Sequence, residues 1–366
     1  MVNRLVALSM PGGHQFVEAV QRVWDEGDAV LPVDQRLPKK AQLDLIAQMG
    51  ASAVLDPSGA SSLDGWPVEP GDALVVATSG STGQPKGVVL EHGALIANAE
   101  ATNAFLGVDP VDDKWLACLP LSHVGGFSVI VRALHCGAAL EVHDGFEADR
   151  VMSAAHGGVT LVSLVPTAMR RIDTDLFRKV LVGGSSVPSD RADNVVATYG
   201  MTETGSGVVY NGYPLENVEL RIVEGQVQIR CPMLFRCYRN GDNPNTRDGW
   251  YPTGDAGELD SEGVLTVHGR MGDMIITGGE NVWPVTVERI LSKAAGVREC
   301  AVVGRPDAEW GQSVVALVVP STVRPSLAEL RELVKDSLPA YCAPRSIEFV
   351  EQLPKTSLGK LQRHLL

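Results

Sequence analysis

The run Thr78-Ser79-Gly80-Ser81-Thr82-Gly83-Gln84-Pro85-Lys86-Gly87 constrains what this 366-residue chain can fold into more than any other stretch. It follows an apolar, strand-like segment, Ala73-Leu74-Val75-Val76-Ala77, and leads into a second apolar run. Glycines let a backbone curl until successive N–H groups face one anion, and hydroxyls with a lysine complete such a cradle. The plain alternative is a flexible Ser/Gly linker. Linkers rarely open straight out of a buried strand and close on Pro-Lys-Gly, so a phosphate loop is the better reading. The spacing Gly-x-x-x-x-Gly-Lys-Ser/Thr does not fit here, which excludes a Walker loop.

Around this loop the chain alternates. Residues 14–26 carry Phe16, Val17, Val20, Val23 and Trp24 at helical spacing and stop at Glu26-Gly27. Residues 29–32 read as a buried strand, 43–49 as a helix closed by Gly50, and 52–55 as a strand. The alternation is expected to run through residue 240, giving mostly parallel sheets flanked by helices. From about Gly263 the texture changes. Short strands at 264–267, 301–303 and 314–319 flank helices at 284–293 and 326–338. The fold class expected is α/β, with a large N-terminal domain over 1–269 and a small mobile α+β domain over 270–366. The glycine-punctuated link Gly269-Arg270-Met271-Gly272-Asp273 suits a hinge.

Bulk properties remove several functions. Forty-four acidic against 31 basic residues leave a net charge of −13, which argues against a nucleic-acid partner. No apolar run approaches the ~20 residues that cross a bilayer, and the start lacks the pattern of a signal peptide. Six cysteines show neither C-x-x-C nor metal-ligand spacing, so reduced thiols in the cytoplasm are expected.

Four further motifs follow the loop: Tyr199-Gly200-Met201-Thr202-Glu203, Tyr251-Pro252-Thr253-Gly254-Asp255, Gly269-Arg270-Met271-Gly272-Asp273, and Pro354-Lys355-Thr356-Ser357-Leu358-Gly359-Lys360. With the loop, they resemble in order and spacing the motifs of the acyl-adenylate-forming superfamily, which includes acyl-CoA synthetases, adenylation domains and luciferases. The resemblance covers about residue 25 to the end. Family members are usually longer, so the expectation is an N-terminally shortened first domain, similar to the short o-succinylbenzoate–CoA ligases. A homodimer would cover what that loss exposes.

The resemblance implies a two-step reaction using ATP, Mg²⁺ and coenzyme A: a carboxylate attacks the α-phosphate, then a thiol displaces AMP. Thr78, Ser79, Gly80, Ser81, Thr82 and Gly83 would wrap the phosphates, with Lys86 adding charge. Thr202 would touch the α-phosphate and Glu203 would hold the metal. Gly183, Gly184 and Ser185 resemble the adenine-binding turn, with Tyr199 stacking on the base and Gly200 and Met201 beside it. Asp255 would accept from the ribose hydroxyls, with Arg270 near; the lesser alternative is an aspartate that serves the turn alone. Lys360 is the implied catalytic cation, Gly272 the pivot, and Gly279, Glu280 and Asn281 the lining of the coenzyme A tunnel.

For the acyl group the candidates are His123, Phe127, Gly205, Ser206, Gly207 and Tyr210. Glycines there leave room for a flat ring, which points to an aromatic acid of the o-succinylbenzoate, salicylate or anthranilate type. His123 reads as a gate, because an ionised carboxylate needs no base. No arginine for a second carboxylate stands out. Three functions stay open: an acid–CoA ligase, an adenylation enzyme loading a carrier-protein phosphopantetheine, and a non-catalytic binder of acyl-AMP. Intact Lys86, Glu203, Asp255, Arg270 and Lys360 argue against the last.

Overall fold

The computed structural model describes residues 3–79, 85–187, 190–355 and 361–366. They group into two compact units, Met1–Leu220 with Ile229–Tyr251, and Arg221–Gln228 with Pro252–Leu366. This division differs from the 269/270 boundary: the segments 221–228 and 252–269 group with the C-terminal part.

The first unit is built on two seven-stranded sheets. In the first, Leu5–Leu8 runs parallel between Ala29–Pro32 and Ala53–Asp56. The strands Leu5–Leu8 and Ala29–Pro32 are wholly buried, as strands covered on both faces must be. Helix His14–Asp25 supplies cover by turning Phe16, Ala19, Val20 and Val23 inward at helical spacing. Beyond Ala29–Pro32 lie Asp72–Ser79 and Pro85–Glu91, an antiparallel pair with Thr78 opposite Lys86. Cys237–Tyr238 adds to the outer side of that pair. The second sheet is parallel from Ala139–Val142 through Val195–Met201, then antiparallel through Ser206–Tyr210 and Tyr213–Pro214.

The expected β/α alternation therefore stops early. No α-helix lies between Met169 and Pro284 among the described residues. Hairpins replace it, and the reason is local. Asn211, Gly212, Glu224 and Gly225 all adopt positive φ, the backbone of tight two-residue turns. Asn-Gly between apolar runs is itself a hairpin signal.

In the second unit, Tyr251–Leu259 and Leu265–Arg270 pair antiparallel within a four-stranded sheet. A five-stranded sheet follows, centred on Gly311–Pro320, with Val297–Asp307 antiparallel and Ser346–Phe349 parallel to it. Helices Pro284–Leu291 and Leu327–Lys335 give Val287, Leu291, Leu330 and Val334 to its core. Ser326 and Glu329 close the start of the second helix as a capping box.

No helix of the described residues is long and apolar enough to cross a membrane. All six cysteines are free thiols. Burial pushes Cys118 and Cys300 up to about 12 and Cys231 up to about 11, and it also raises Cys237 and Cys342.

Candidate active site

Two of the motif residues meet on a tyrosine that the sequence did not single out. Lys86 lies in strand Pro85–Glu91, and its Nζ is 4.8 Å from the centre of the Tyr238 ring. The Tyr238 hydroxyl donates to Glu203 Oε1 at 2.9 Å. The neighbours of Tyr238 fix its place. Arg236 forks the buried carboxylate of Asp72 with two 2.8 Å bonds. The Arg236 and Arg239 amides donate to the carbonyls of Val89 and Gly87, and the Phe235 amide donates to that of Glu203. A fork on a buried carboxylate and a ladder of backbone bonds thus set the register of Cys237–Tyr238.

Glu203 sits in the short 3₁₀ turn Thr202–Thr204, which follows strand Val195–Met201. That strand bulges between Tyr199 and Gly200 where it meets Ser206–Tyr210. A Cβ on Gly200 would lie 2.2 Å from the Ser206 carbonyl, so only glycine fits. Thr204 Oγ1 accepts from the Met201 amide at 3.0 Å and donates to the Ser206 carbonyl at 2.7 Å. Gly205 closes the turn at φ 67°. These bonds leave Thr202 and Glu203 half-buried. Gly183, Gly184 and Ser185 follow strand Lys179–Val182, with Gly184 and Ser185 exposed.

The expected acyl residues divide. Phe127 is fully buried, with its ring edge-on to Phe16 and Trp24. Tyr210 is also fully buried, bonded to the Thr102 hydroxyl at 2.9 Å and edge-on to Phe105. Gly205 is buried near Leu90 and Leu95, and Gly207 abuts Tyr210 and Thr198. Phe127, Tyr210 and Gly205 therefore lie within packed structure, whereas His123, Ser206 and Gly207 are half-buried. His123 caps helix Val124–Cys136, its carbonyl accepting from the Gly126 and Phe127 amides. Burial holds its imidazole below the usual histidine range, partly opposed by Asp34. Its Nε2 has no hydrogen-bond partner among the described residues.

One residue in the same helix breaks the apolar pattern. Arg132 is 2% exposed, yet no carboxylate among the described residues pairs with it. Its Nη2 donates to Ser206 Oγ at 2.8 Å and reaches Asn98 Oδ1 at 3.5 Å, and Nη1 donates to Ser163 Oγ at 3.3 Å. The guanidinium lies over Trp115, and Nε has no partner among the described residues. One turn earlier, Ser128 Oγ is 3.2 Å from Ser206 Oγ.

The second unit carries its own group. Asp255 and Arg270 are cross-strand partners, with Arg270 Nε 3.1 Å from Asp255 Oδ1. Arg270 Nη1 donates to the Thr253 carbonyl at 2.6 Å, and the Asp255 amide donates to Thr253 Oγ1 at 3.0 Å. Gly272 is exposed in the 3₁₀ turn Met271–Asp273, and Gly279, Glu280 and Asn281 are exposed around strand Glu280–Val282. Near the C-terminus, Arg363 forks Glu288 at 2.7 and 2.6 Å, and Lys355 pairs with Glu299 at 2.8 Å. Gly80, Ser81, Thr82, Gly83 and Lys360 lie outside the described residues.

Among the described residues no three His, Cys, Asp or Glu side chains gather into a metal-binding group. A hard cation at Glu203 would fit one carboxylate oxygen completed by phosphate oxygens and water.

An α/β body whose antiparallel pair Asp72–Ser79 and Pro85–Glu91 flanks the glycine-rich segment, joined in sequence to a smaller unit bearing an Asp–Arg pair, is the build of adenylate-forming enzymes. The chain belongs to the AMP-binding enzymes: residues 64–230 match that family and residues 286–360 match the AMP-binding enzyme C-terminal domain. It is 38% identical over 322 residues to the probable 2-succinylbenzoate–CoA ligase of Mycobacterium tuberculosis, covering 80% of this chain and 83% of that one. It is 32% identical over 333 residues to the 2-succinylbenzoate–CoA ligase of Enterococcus faecalis, covering 80% and 68%. Among solved structures, the o-succinylbenzoate CoA synthetase of Bacillus subtilis, in complex with its acyl-adenylate intermediate, superposes with a TM-score of 0.88. The identity there is 26%, over 99% of this chain and 87% of that one.

Proposed function

We propose that this chain is an ATP-dependent, AMP-forming acid–CoA ligase whose acid is aromatic, of the 2-succinylbenzoate type. The observation that carries the proposal is the meeting of Lys86 and Glu203 on Tyr238, in a chain whose relatives bear that ligase's name. Phosphoryl and acyl transfer of this kind ask a protein for positioning and charge neutralisation more than for covalent chemistry.

Each residue has a part. In this reading the loop from Thr78 to Gly83 would receive the phosphates, and Lys86 adds a point charge. Glu203 would hold Mg²⁺, which when bound neutralises phosphate charge. The Tyr238 hydroxyl fixes one oxygen of that carboxylate, and the other has no partner among the described residues. Thr202 bonds the α-phosphate, and Asp255 accepts from the ribose with Arg270 beside it. A neutral His123, with Nε2 unclaimed among the described residues, orients the incoming carboxylate by a hydrogen bond and takes no proton. Lys360 meets the charge that grows as the acyl oxygen attacks. Gly279, Glu280 and Asn281 line the path of the pantetheine arm, and Gly272 is the pivot between the two half-reactions. Coenzyme A is the acceptor in this reading, with a carrier-protein phosphopantetheine as the competing thiol. The reaction takes place in the cytoplasm, in keeping with six free thiols, and the enzyme is a homodimer. Light scattering that gives a single 39.0 kDa species would overturn the dimer.

The test is mass spectrometry after incubation with Mg-ATP and a panel of aryl and aliphatic acids, with coenzyme A present or omitted. An aryl-CoA formed only when coenzyme A is present is the expected result. An acyl-AMP that accumulates and never reaches coenzyme A would overturn the acceptor.

A further inference from the structure

Arg363 holds two carboxylates where its charge needs one. Its Nη2 donates to both oxygens of Glu288 at 2.7 and 2.6 Å, and the side chain is 19% exposed. Nη1 donates to the Val302 carbonyl at 3.1 Å, and Nε lies 3.3 Å from Asp273 Oδ2. One cation thus gathers helix Pro284–Leu291, strand Val297–Asp307 and the 3₁₀ turn Met271–Asp273, all within the second unit. Glu288 alone balances the guanidinium, and its Oε1 is fixed a second time by the Val302 amide at 2.7 Å. Asp273 is surplus to that arrangement. Its side chain is 31% exposed, and a partly exposed ion pair adds little to stability, so this contact asks for another reason.

The places of Asp273 and Arg363 in the chain supply one. Asp273 directly follows Gly272. A glycine leaves the backbone wide freedom in φ and ψ, so the path of the chain beyond it has to be set by a neighbour. Nothing packs on Gly272 itself, where a Cβ would meet no atom within 4 Å. Asp273 is the next side chain along, and Arg363 is its ion-pair partner among the described residues. Arg363 in turn stands three residues after Lys360 in sequence. The chain on either side of residues 356–360 is pinned. Lys355 bridges to Leu361, and the Gln362 amide donates to the Pro354 carbonyl at 2.9 Å. Leu361 packs against Ala301, Leu317, Val319 and Leu353. Arg363 carries that anchorage on to the turn that follows Gly272.

We propose that Arg363 is a positioning residue: by holding Asp273 it ties the segment that bears Lys360 to the turn that leaves the pivot. The inference deepens the ligase reading and rests on it, since that reading gives Lys360 to adenylation and makes Gly272 the pivot. Arg363 acts through Lys360 and not on the reacting atoms. Glu288 and the Val302 carbonyl keep the arginine in place, and Asp273 passes the direction of the turn to it. A weakened tie therefore costs adenylation, because a reacting group displaced by a fraction of its reach loses much of its effect. Thioester formation does not call on Lys360 and is spared.

The experiment takes the full chain with Mg-ATP, 2-succinylbenzoate and coenzyme A and follows the two half-reactions apart. One assay is ATP–pyrophosphate exchange, the other thioester formation from preformed acyl-AMP, and the urea midpoint of each variant is measured beside them. Asp273→Asn removes the charge that holds the turn and leaves the Glu288 contacts in place. It is expected to lower kcat for exchange about tenfold, with KM for ATP, thioester formation and the urea midpoint unchanged. Arg363→Gln should lower exchange at least as far, and the urea midpoint too, because it strands Glu288. In a Lys360→Ala background Asp273→Asn should cost nothing further, since residues that act as one are not additive. An exchange rate unchanged in Asp273→Asn, or a matched loss in both half-reactions, would show a merely structural tie and overturn the proposal. So would a full second loss in the Lys360→Ala background. Either result leaves the ligase reading intact, provided that the wild type performs both half-reactions and Lys360→Ala suppresses exchange. A wild type that performs neither would overturn the ligase reading and this inference with it. If Arg363→Gln fails to fold, Asp273→Asn decides.

Discussion

Glu203 shows how one side chain can be read two ways. In sequence it is a glutamate after a threonine, which is also what a helix start looks like. In the fold it heads no α-helix, and Tyr238 fixes one of its oxygens. Glu203→Gln keeps the shape and removes the charge, so ATP–pyrophosphate exchange should fall about 100-fold, as when one preorganised contact is removed. Tyr238→Phe should cost less and should appear mainly as a higher Mg²⁺ requirement. Equal loss in both would separate Glu203 from the metal. Lys360→Ala should suppress adenylation far more than thioester formation from preformed acyl-AMP, and a matched loss in the two assays would contradict its role. His123 gives a pH prediction. Burial lowers its folded pKa below the unfolded value of about 6.5. Below that value the unfolded chain binds a proton that the folded chain resists. Its contribution is therefore complete above about pH 6.5 and is lost as pH falls through the folded pKa. Urea midpoints measured down to pH 5 should decline less steeply in His123→Gln than in the wild type.

At the scale of elements, the strand Cys237–Tyr238 depends on Arg236. Asp72 has no exposed side-chain surface, so Arg236→Ala would strand a buried carboxylate. The expected cost is about 3–5 kcal/mol in chemical denaturation, and it should also loosen Lys86 and Glu203 by freeing Tyr238. A cost under about 1 kcal/mol, the range of surface pairs, would show that the strand is held by its backbone bonds alone. The sequence made some of this legible and hid the rest. Helix His14–Asp25 and strand Ala29–Pro32 follow from periodicity and glycine stops, because their neighbours in space are also their neighbours in sequence. Strand Cys237–Tyr238 is two residues long and pairs with Val88 and Val89, far away along the chain, so no local pattern announces it. The turn at Asn211-Gly212 was legible, and the expected β/α alternation obscured it. Arg132 was visible as a single charge inside Val129-Ile130-Val131-Arg132-Ala133-Leu134, but its hydroxyl partners come from other elements.

At the scale of the molecule, each unit has its own core. Gly272 carries the prediction at this scale. A Cβ there would meet nothing within 4 Å, so Gly272→Ala should fold normally and gain up to about 1 kcal/mol from a stiffer unfolded chain. If the residue is the pivot, thioester formation should slow more than adenylation, and equal rates in both half-reactions would remove it from that role. The cysteines have a different consequence. An enzyme of this kind makes a mixed anhydride that any thiolate can attack, and it does so inside a chain with six thiols of its own. Only the thiolate is nucleophilic. Burial keeps Cys118, Cys231, Cys237, Cys300 and Cys342 protonated at neutral pH, and the Cys136 thiol leans on the Arg132 carbonyl at 3.1 Å. The same apolar packing that builds the two cores thus protects the protein from acylating itself while its activated product waits for an outside thiol.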